Sequence, residues 1–258
     1  MPRTRGRAPA GGRAGALSQE IVVGAAIALL DEHGERGLTF RLLAERLNTG
    51  TGALYWHVAN KDELVALAAD HVLGYALAAA PLTAGGANDG ANDGANDAAN
   101  GGASDGAGAV AGLRALAVAV FDNLDRHPWA ASHVTAPASL PHTLRLLDRI
   151  GTLAARTGLP AARHFAVSTA IFNYVTGVSA QIIAPATTVG TETSREAFLA
   201  RTAESWEQLD PADYPFLTRA RTTADLRDHD DRDQFTTGLD LLLSGLRCLH
   251  DPHAATDA

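Results

Sequence analysis

The 258-residue chain has one cysteine, one methionine and only 5% aromatic residues. The single thiol, Cys248, excludes an intramolecular disulfide and a cysteine-based zinc site. It fits a reducing compartment. Uninterrupted apolar runs are short, so no bilayer-spanning segment is expected. The arginines after Met1 are not followed by an apolar stretch, which does not read as a secretory signal. A cytoplasmic protein without membrane contact is therefore expected. Catalytic signatures are lacking too. No glycine-rich phosphate loop follows a strand, and there is no nucleophile elbow or His-Glu-x-x-His pair. His127, His133 and His142 have aspartates nearby but no metal-ligand spacing. No catalytic residue, metal or cofactor is expected.

What is present is alanine, in a chain 46% hydrophobic with few β-branched runs. That composition favours helices and predicts an all-α fold. The net charge of −8 is unevenly spread. Residues 1–61 hold eight basic side chains against five acids, a net +3, which leaves −11 on the remainder. A basic head on an acidic body points to a polyanion partner for the head alone.

Residues 1–16 are rich in Arg, Gly and Ala without periodicity and read as a disordered basic arm. Ser18 is placed to cap a first helix, with Leu17 and Val22 as its hydrophobic staple, and Gly34 ends it. Thr39 starts a short second helix stapled by Leu38 and Leu43. Asn48 and Gly50 flank a tight break before a third, about Thr51 to Val58. Asn60 and Glu63 form a capping box that opens a fourth, from Lys61 to about Ala80, and Pro81 stops it. Residues 81–109 contain a near-repeat of Ala-Asn-Asp-Gly that cannot bury a core, so a flexible insert is expected. Helical periodicity returns over Val110–His127, Pro141–Thr157, Ala161–Ile183, Ser194–Glu207, about Asp213–Arg221, and Arg232–His250. The third and last of these are apolar over a wide arc, which suggests a second buried face such as a helical dimer interface.

The short second and third helices have the lengths of a helix-turn-helix unit, in which the second helix stands proud enough to enter a major groove. Spacing alone leaves an ordinary helical hairpin equally open. Within Tyr55-Trp56-His57, aromatics at helical spacing are usually core, but Leu54 and Val58 sit better on the inner face. That leaves Tyr55 and His57 outward.

The stretch from Leu17 to Ala68, with GLTFRLLAERL and ALYWHVANKDEL in register, closely resembles the DNA-binding domain of TetR-family transcriptional repressors. FAVSTAIFNYVTGVSAQ and RDQFTTGLDLLLSGLRCL resemble the dimerisation helices of the tetracycline-repressor branch. The resemblance implies a helix-turn-helix domain over 17–64 and a larger ligand-binding and dimerisation domain over 65–258. It implies a homodimer on a palindromic double-stranded DNA operator, released by a small organic effector. By the same resemblance, Thr39 and Arg41 contact phosphate and a base, and Thr51, Gly52 and Ala53 lie at base-facing positions. Tyr55, Trp56, His57 and Lys61 then contact backbone phosphates. Gly50 and Gly52 stand where side chains often read bases.

In the tetracycline branch a histidine and a carboxylate hold a magnesium–drug chelate. His133 sits near that histidine's place, but Gln181 occupies the carboxylate's position and Leu77 that of a second histidine. These departures argue against magnesium-tetracycline. The helix 161–183 is expected to point Phe165, Ser168, Phe172, Asn173 and Thr176 along one side, a mixture that suits a flat, partly polar organic ligand. An equally plain reading makes most of these core or dimer contacts. A transcriptional activator also fits the pattern, as does a helical binding or catalytic protein that kept its DNA head as scaffold.

Overall fold

The computed structural model describes residues 17–80, 98–134, 139–183, 195–220 and 230–249. Among them the regular structure is helical and no strand occurs. Helix α1 (Gln19–Gly37) begins where the Ser18 hydroxyl accepts the Ile21 amide at 3.3 Å. Its regular part ends at Gly34, whose φ of 63° suits a residue without a Cβ. Helix α2 (Phe40–Arg46) starts on the Thr39 hydroxyl, which accepts the Leu42 amide at 3.2 Å. Asn48, with φ 50°, turns the chain into α3 (Thr51–Leu54). That helix is shorter than the expected Thr51–Val58, because residues 55–57 form a turn. Helix α4 (Lys61–Ala79) opens on the expected capping box: Asn60 Oδ1 accepts the Glu63 amide at 2.8 Å, and Glu63 Oε2 accepts the Ala59 amide at 2.6 Å. The predicted staple residues Val22, Leu38 and Leu43 are fully buried, as is Leu54 of α3.

The body contains α5 (Ala98–Arg126), a 3-10 turn (Pro128–Ala130), α6 (Pro141–Arg156), α7 (Ala161–Ile183), α8 (Arg195–Glu207), α9 (Pro215–Ala220) and α10 (Asp231–Cys248). One apolar cluster runs from α1 through α4 and into α5, α6, α7 and α10. Helix α4 therefore starts under the head and ends inside the body. Phe121 of α5 stacks on Phe235 of α10 with ring centroids 4.5 Å apart, and the Tyr174 hydroxyl of α7 donates to the Phe235 carbonyl at 2.8 Å. Two forked ion pairs, Arg114–Asp240 and Arg232–Asp122, tie α10 to α5.

Two expectations need correction. The insert expected over 81–109 ends earlier, because α5 starts at Ala98; residues 81–97, like the arm 1–16, lie outside the described residues. The reason is close packing of small residues. Ala109 is fully buried, a Cβ on Gly106 would lie 3.5 Å from the Thr157 carbonyl, and Asp105 pairs with Arg156 at the end of α6. Second, α5 and α7 are long and apolar enough, by length and composition, to cross a bilayer. The absence of uninterrupted apolar runs hid this, since Arg114 and Asp122 break the α5 sequence. Their apolar faces are used within the fold: Leu113, Leu116, Val120, Phe121 and Leu124 of α5 and Val167, Ile171 and Val175 of α7 are all buried.

Helices α4 and α6 cap one another. Asp70, in the middle of α4 and only 4% exposed, accepts the first amides of α6, those of His142 at 3.1 Å and Thr143 at 2.8 Å. It also accepts the Thr143 hydroxyl at 2.8 Å and lies 2.9 Å from His142 Nδ1. In return Arg149, in the middle of α6, donates to the Leu77 carbonyl at 2.8 Å and to that of Ala80, at the C-terminus of α4. His71 lies beside this joint, its ring 5.5 Å from that of His142 and 5.2 Å from that of Tyr75. Burial, helped by His142, holds its pKa below the ordinary histidine value, against the pull of Asp70 and Glu20. The unfolded chain therefore takes up this proton more readily, and stability is lost as pH falls through the unfolded value of about 6.5. Urea midpoints measured from pH 8 down to 5.5 are expected to drop below that point, and to drop less in His71→Asn.

Candidate nucleic-acid interface and the seam behind it

The outer end of the head is built by the start of α2 and by α3 with its following turn. Thr39 is exposed, although its hydroxyl is engaged as the α2 cap. Arg41 projects into solvent with a side chain 87% exposed, and its Nε donates to Glu45 at 3.0 Å one helical turn on. Thr51 and Gly52 are exposed and Ala53 is half-buried. A Cβ added at Gly50 or Gly52 would meet no atom within 4 Å, so close packing does not require either glycine. Leu54 and Val58 point inward, which turns Tyr55 (59% exposed) and Trp56 (89%) outward. The Tyr55 ring rests on that of Phe40, centroids 4.8 Å apart, and so joins α3 to α2. His57 is half-buried, and its carbonyl accepts Gln19 Nε2 at 3.0 Å from the first turn of α1.

The structure thus brings Thr39, Arg41, Thr51, Gly52, Ala53, Tyr55, Trp56 and His57 to one end of the molecule. Lys61 differs. It is half-buried, and its ammonium donates to the Glu35 carbonyl where α1 ends, so it ties the head together from behind. Arg46 is also drawn back. Its guanidinium forks onto Glu32 at 2.7 and 2.8 Å, which holds the Glu32 carboxyl below and Arg46 above their ordinary pKa values. Apolar periodicity gave no signal for the supports Gln19, Phe40 and Glu32, which act across the fold.

Behind the head, two acids of α1 are held by ring nitrogens of the body. Asp31 Oδ1 accepts Trp129 Nε1 at 2.7 Å and lies 2.8 Å from His127 Nδ1. Glu35 Oε1 lies 2.8 Å from His133 Nε2. His133, expected in a ligand pocket, sits instead on this seam. Beside it a cleft of about 550 Å3 opens between the end of α1 and the 3-10 turn.

The remaining candidate ligand residues do not share one face. Ser168 and Thr176 are buried, their hydroxyls donating to the carbonyls of His164 at 2.6 Å and Phe172 at 2.9 Å. Phe172 is half-buried, whereas Phe165 (77% exposed), Asn173 and Gln181 face outward. The correction follows from helical geometry: at about 100° per residue, Asn173 turns about 140° away from Ser168, whereas Phe165, three residues before Ser168, keeps to the same side. Phe165 and Ser168 do meet in a groove of about 600 Å3 between α6 and α7, together with Leu144, Leu147, Asp148 and Gly151.

A short helix held proud by a tight turn, aromatic side chains outward, and a larger helical body behind it agree with two family models. Residues 22–68 match bacterial regulatory proteins of the tetR family, and residues 105–249 match the tetracyclin repressor-like C-terminal domain. The chain belongs to the TetR family. An HTH-type transcriptional regulator of Saccharopolyspora erythraea is 32% identical over 169 residues, which cover 65% of this chain and 62% of that protein. The tetracycline repressor protein class D of Escherichia coli is 44% identical over 68 residues, 25% of this chain and 31% of that protein. Among solved structures, SCO7222, a TetR transcriptional regulator from Streptomyces coelicolor, superposes with a TM-score of 0.66 and 36% identity, over 91% of this chain and 100% of that one. TetR membership accounts for the all-α fold with its helix-turn-helix head, and it places the chain among regulators rather than enzymes.

Proposed function

We infer that this TetR-family chain is a transcriptional repressor that binds a palindromic operator as a homodimer and is released by a small organic effector. The observation that carries the reading is the outer end of the head. Arg41, Thr51, Tyr55 and Trp56 all face solvent around a four-residue helix, with Trp56 89% exposed. With α3 in a major groove, an indole so placed lies against a backbone phosphate or sugar. Self-association is supported by the outer faces of α7 and α10, which expose Leu241 and small residues such as Ala166, Ala170 and Ser244. The groove between α6 and α7, with Phe165 and Ser168, is the natural place for the effector, and its volume suits a drug-sized molecule. An effector that prefers the spacing of heads unsuited to the operator lowers DNA affinity by linkage. A gene for an exporter or for antibiotic chemistry is a fitting target.

The test is fluorescence anisotropy with labelled DNA from upstream of the chain's own gene, competed by scrambled DNA at several salt concentrations. The expected result is dimer binding that prefers the upstream DNA by about 1000-fold or more and weakens steeply with salt. Equal affinity for the scrambled sequence overturns the reading.

A further inference from the structure

The cleft on the seam is separate from the α6–α7 groove and is not used by the function just proposed. Its walls come from both parts of the molecule: Leu30, Asp31 and residues 33–36 on the head side, and Arg126, Pro128, Trp129 and Ser132 on the body side. Gly34, with φ 63°, bends the end of α1 so that residues 34–36 form one wall. The floor is apolar, from Leu30, Pro128 and Trp129.

The polar groups decide what the cleft can hold. Its two inner carboxylates are already engaged. Asp31 is held by Trp129 and His127, and Glu35 by His133. These hydrogen bonds do not cancel the carboxylate charges, but neither acid pairs with an arginine among the described residues. The guanidiniums are differently placed. Arg36 is exposed at the wall and makes no hydrogen bond or ion pair among the described residues. Arg126 is exposed as well and donates Nη1 to Asn123 Oδ1 at 3.0 Å, a neutral acceptor, and forms no ion pair among the described residues. Two planar forks without a carboxylate partner, over an apolar, indole-lined floor, match a flat ring carrying a carboxylate.

We propose that this cleft is a binding site for a small aromatic carboxylate, distinct from the effector groove of the body. Its volume of about 550 Å3 accommodates a two- or three-ring molecule. A molecule seated there touches head and body at once, so it favours the head angle at which both walls close on it.

Isothermal titration of the full chain with 2-naphthoate, and with neutral 2-naphthamide as the matched control, tests this. Naphthoate is expected to bind at least tenfold more tightly than the amide. The double variant Arg36→Gln/Arg126→Gln is expected to lose that advantage, and Ser132→Trp, which fills the cleft from its exposed rim, to abolish binding of both. Both variants change exposed side chains, and a thermal melt confirms that they are folded. Arg145→Gln, which changes a cation away from the cleft, is expected to bind naphthoate as the parent does. Equal binding of acid and amide, unchanged naphthoate affinity in the double variant, or unchanged binding in Ser132→Trp overturns the proposal.

Discussion

Asp70→Ala is expected to cost about 3–4 kcal/mol of folding stability, more than any exposed substitution in the head. The carboxylate is 4% exposed, and four donors converge on it from the first turn of α6. Removing it strands the His142 and Thr143 amides at a helix N-terminus where no other acceptor is in reach, and removes a negative charge from the positive end of a helix dipole. Asp70→Asn separates the two effects. Its amide oxygen still accepts from Thr143, while its amino group meets the donors of His142, so about half the loss is expected. Urea unfolding at fixed protomer concentration measures both, since a dimer's stability depends on that concentration. A loss below about 1 kcal/mol in Asp70→Ala shows that water replaces the carboxylate, and that the joint between α4 and α6 is held by Arg149 and apolar packing alone.

This joint also shows where sequence reading reaches its limit. The helix starts at Ser18, Thr39 and Asn60 were legible because each cap acts within three residues of itself. The outward turn of Tyr55 was legible because Leu54 and Val58 claimed the inner face, but Trp56 is the more exposed ring and His57, expected outward, is half-buried. The motifs around α2 and α3 gave the family. None of this could show that Asp70, in an ordinary helical pattern, would cap a helix beginning more than seventy residues later. The same holds for Gln19 on His57, and for Asp31 and Glu35 on His127, Trp129 and His133. Such contacts join residues tens of positions apart, and neither partner carries a local mark of its use. Lys61 has a partner that its local sequence does not reveal. Beside a capping box at the edge of the head it reads as a phosphate contact, but its ammonium donates to the Glu35 carbonyl, which also accepts the Leu38 amide. The side of α7 that a ligand or partner covers was not legible for another reason. A helix with apolar residues on most sides does not reveal which side is core and which awaits a partner.

The second large effect separates reading from gripping at the operator. Arg41→Ala is expected to lower affinity for the preferred operator by about 10- to 100-fold and to leave scrambled DNA nearly unaffected, because a guanidinium forked on one guanine discriminates by about 1–3 kcal/mol. Its exposed pairing with Glu45 is weak enough to be given up on DNA. Thr51→Ala is expected to relax the preference at a single position. His57→Ala and Tyr55→Phe, by contrast, should weaken binding to both DNAs alike, without changing which sequence is preferred. Lys61 is expected to follow neither pattern. Its ammonium holds the end of α1, so Lys61→Ala should lower the melting temperature of the head and weaken all binding, while the salt dependence stays that of the parent. Anisotropy titrations of each variant against both DNAs at three salt concentrations resolve these outcomes. A Lys61→Ala variant with unchanged melting and a salt slope flattened by about one unit would return Lys61 to the phosphate backbone. If Arg41→Ala weakens scrambled DNA as much as the operator, the guanidinium grips the backbone instead. Sequence preference must then rest on the short side chains of Thr51 and Ala53 and on the shape of the DNA.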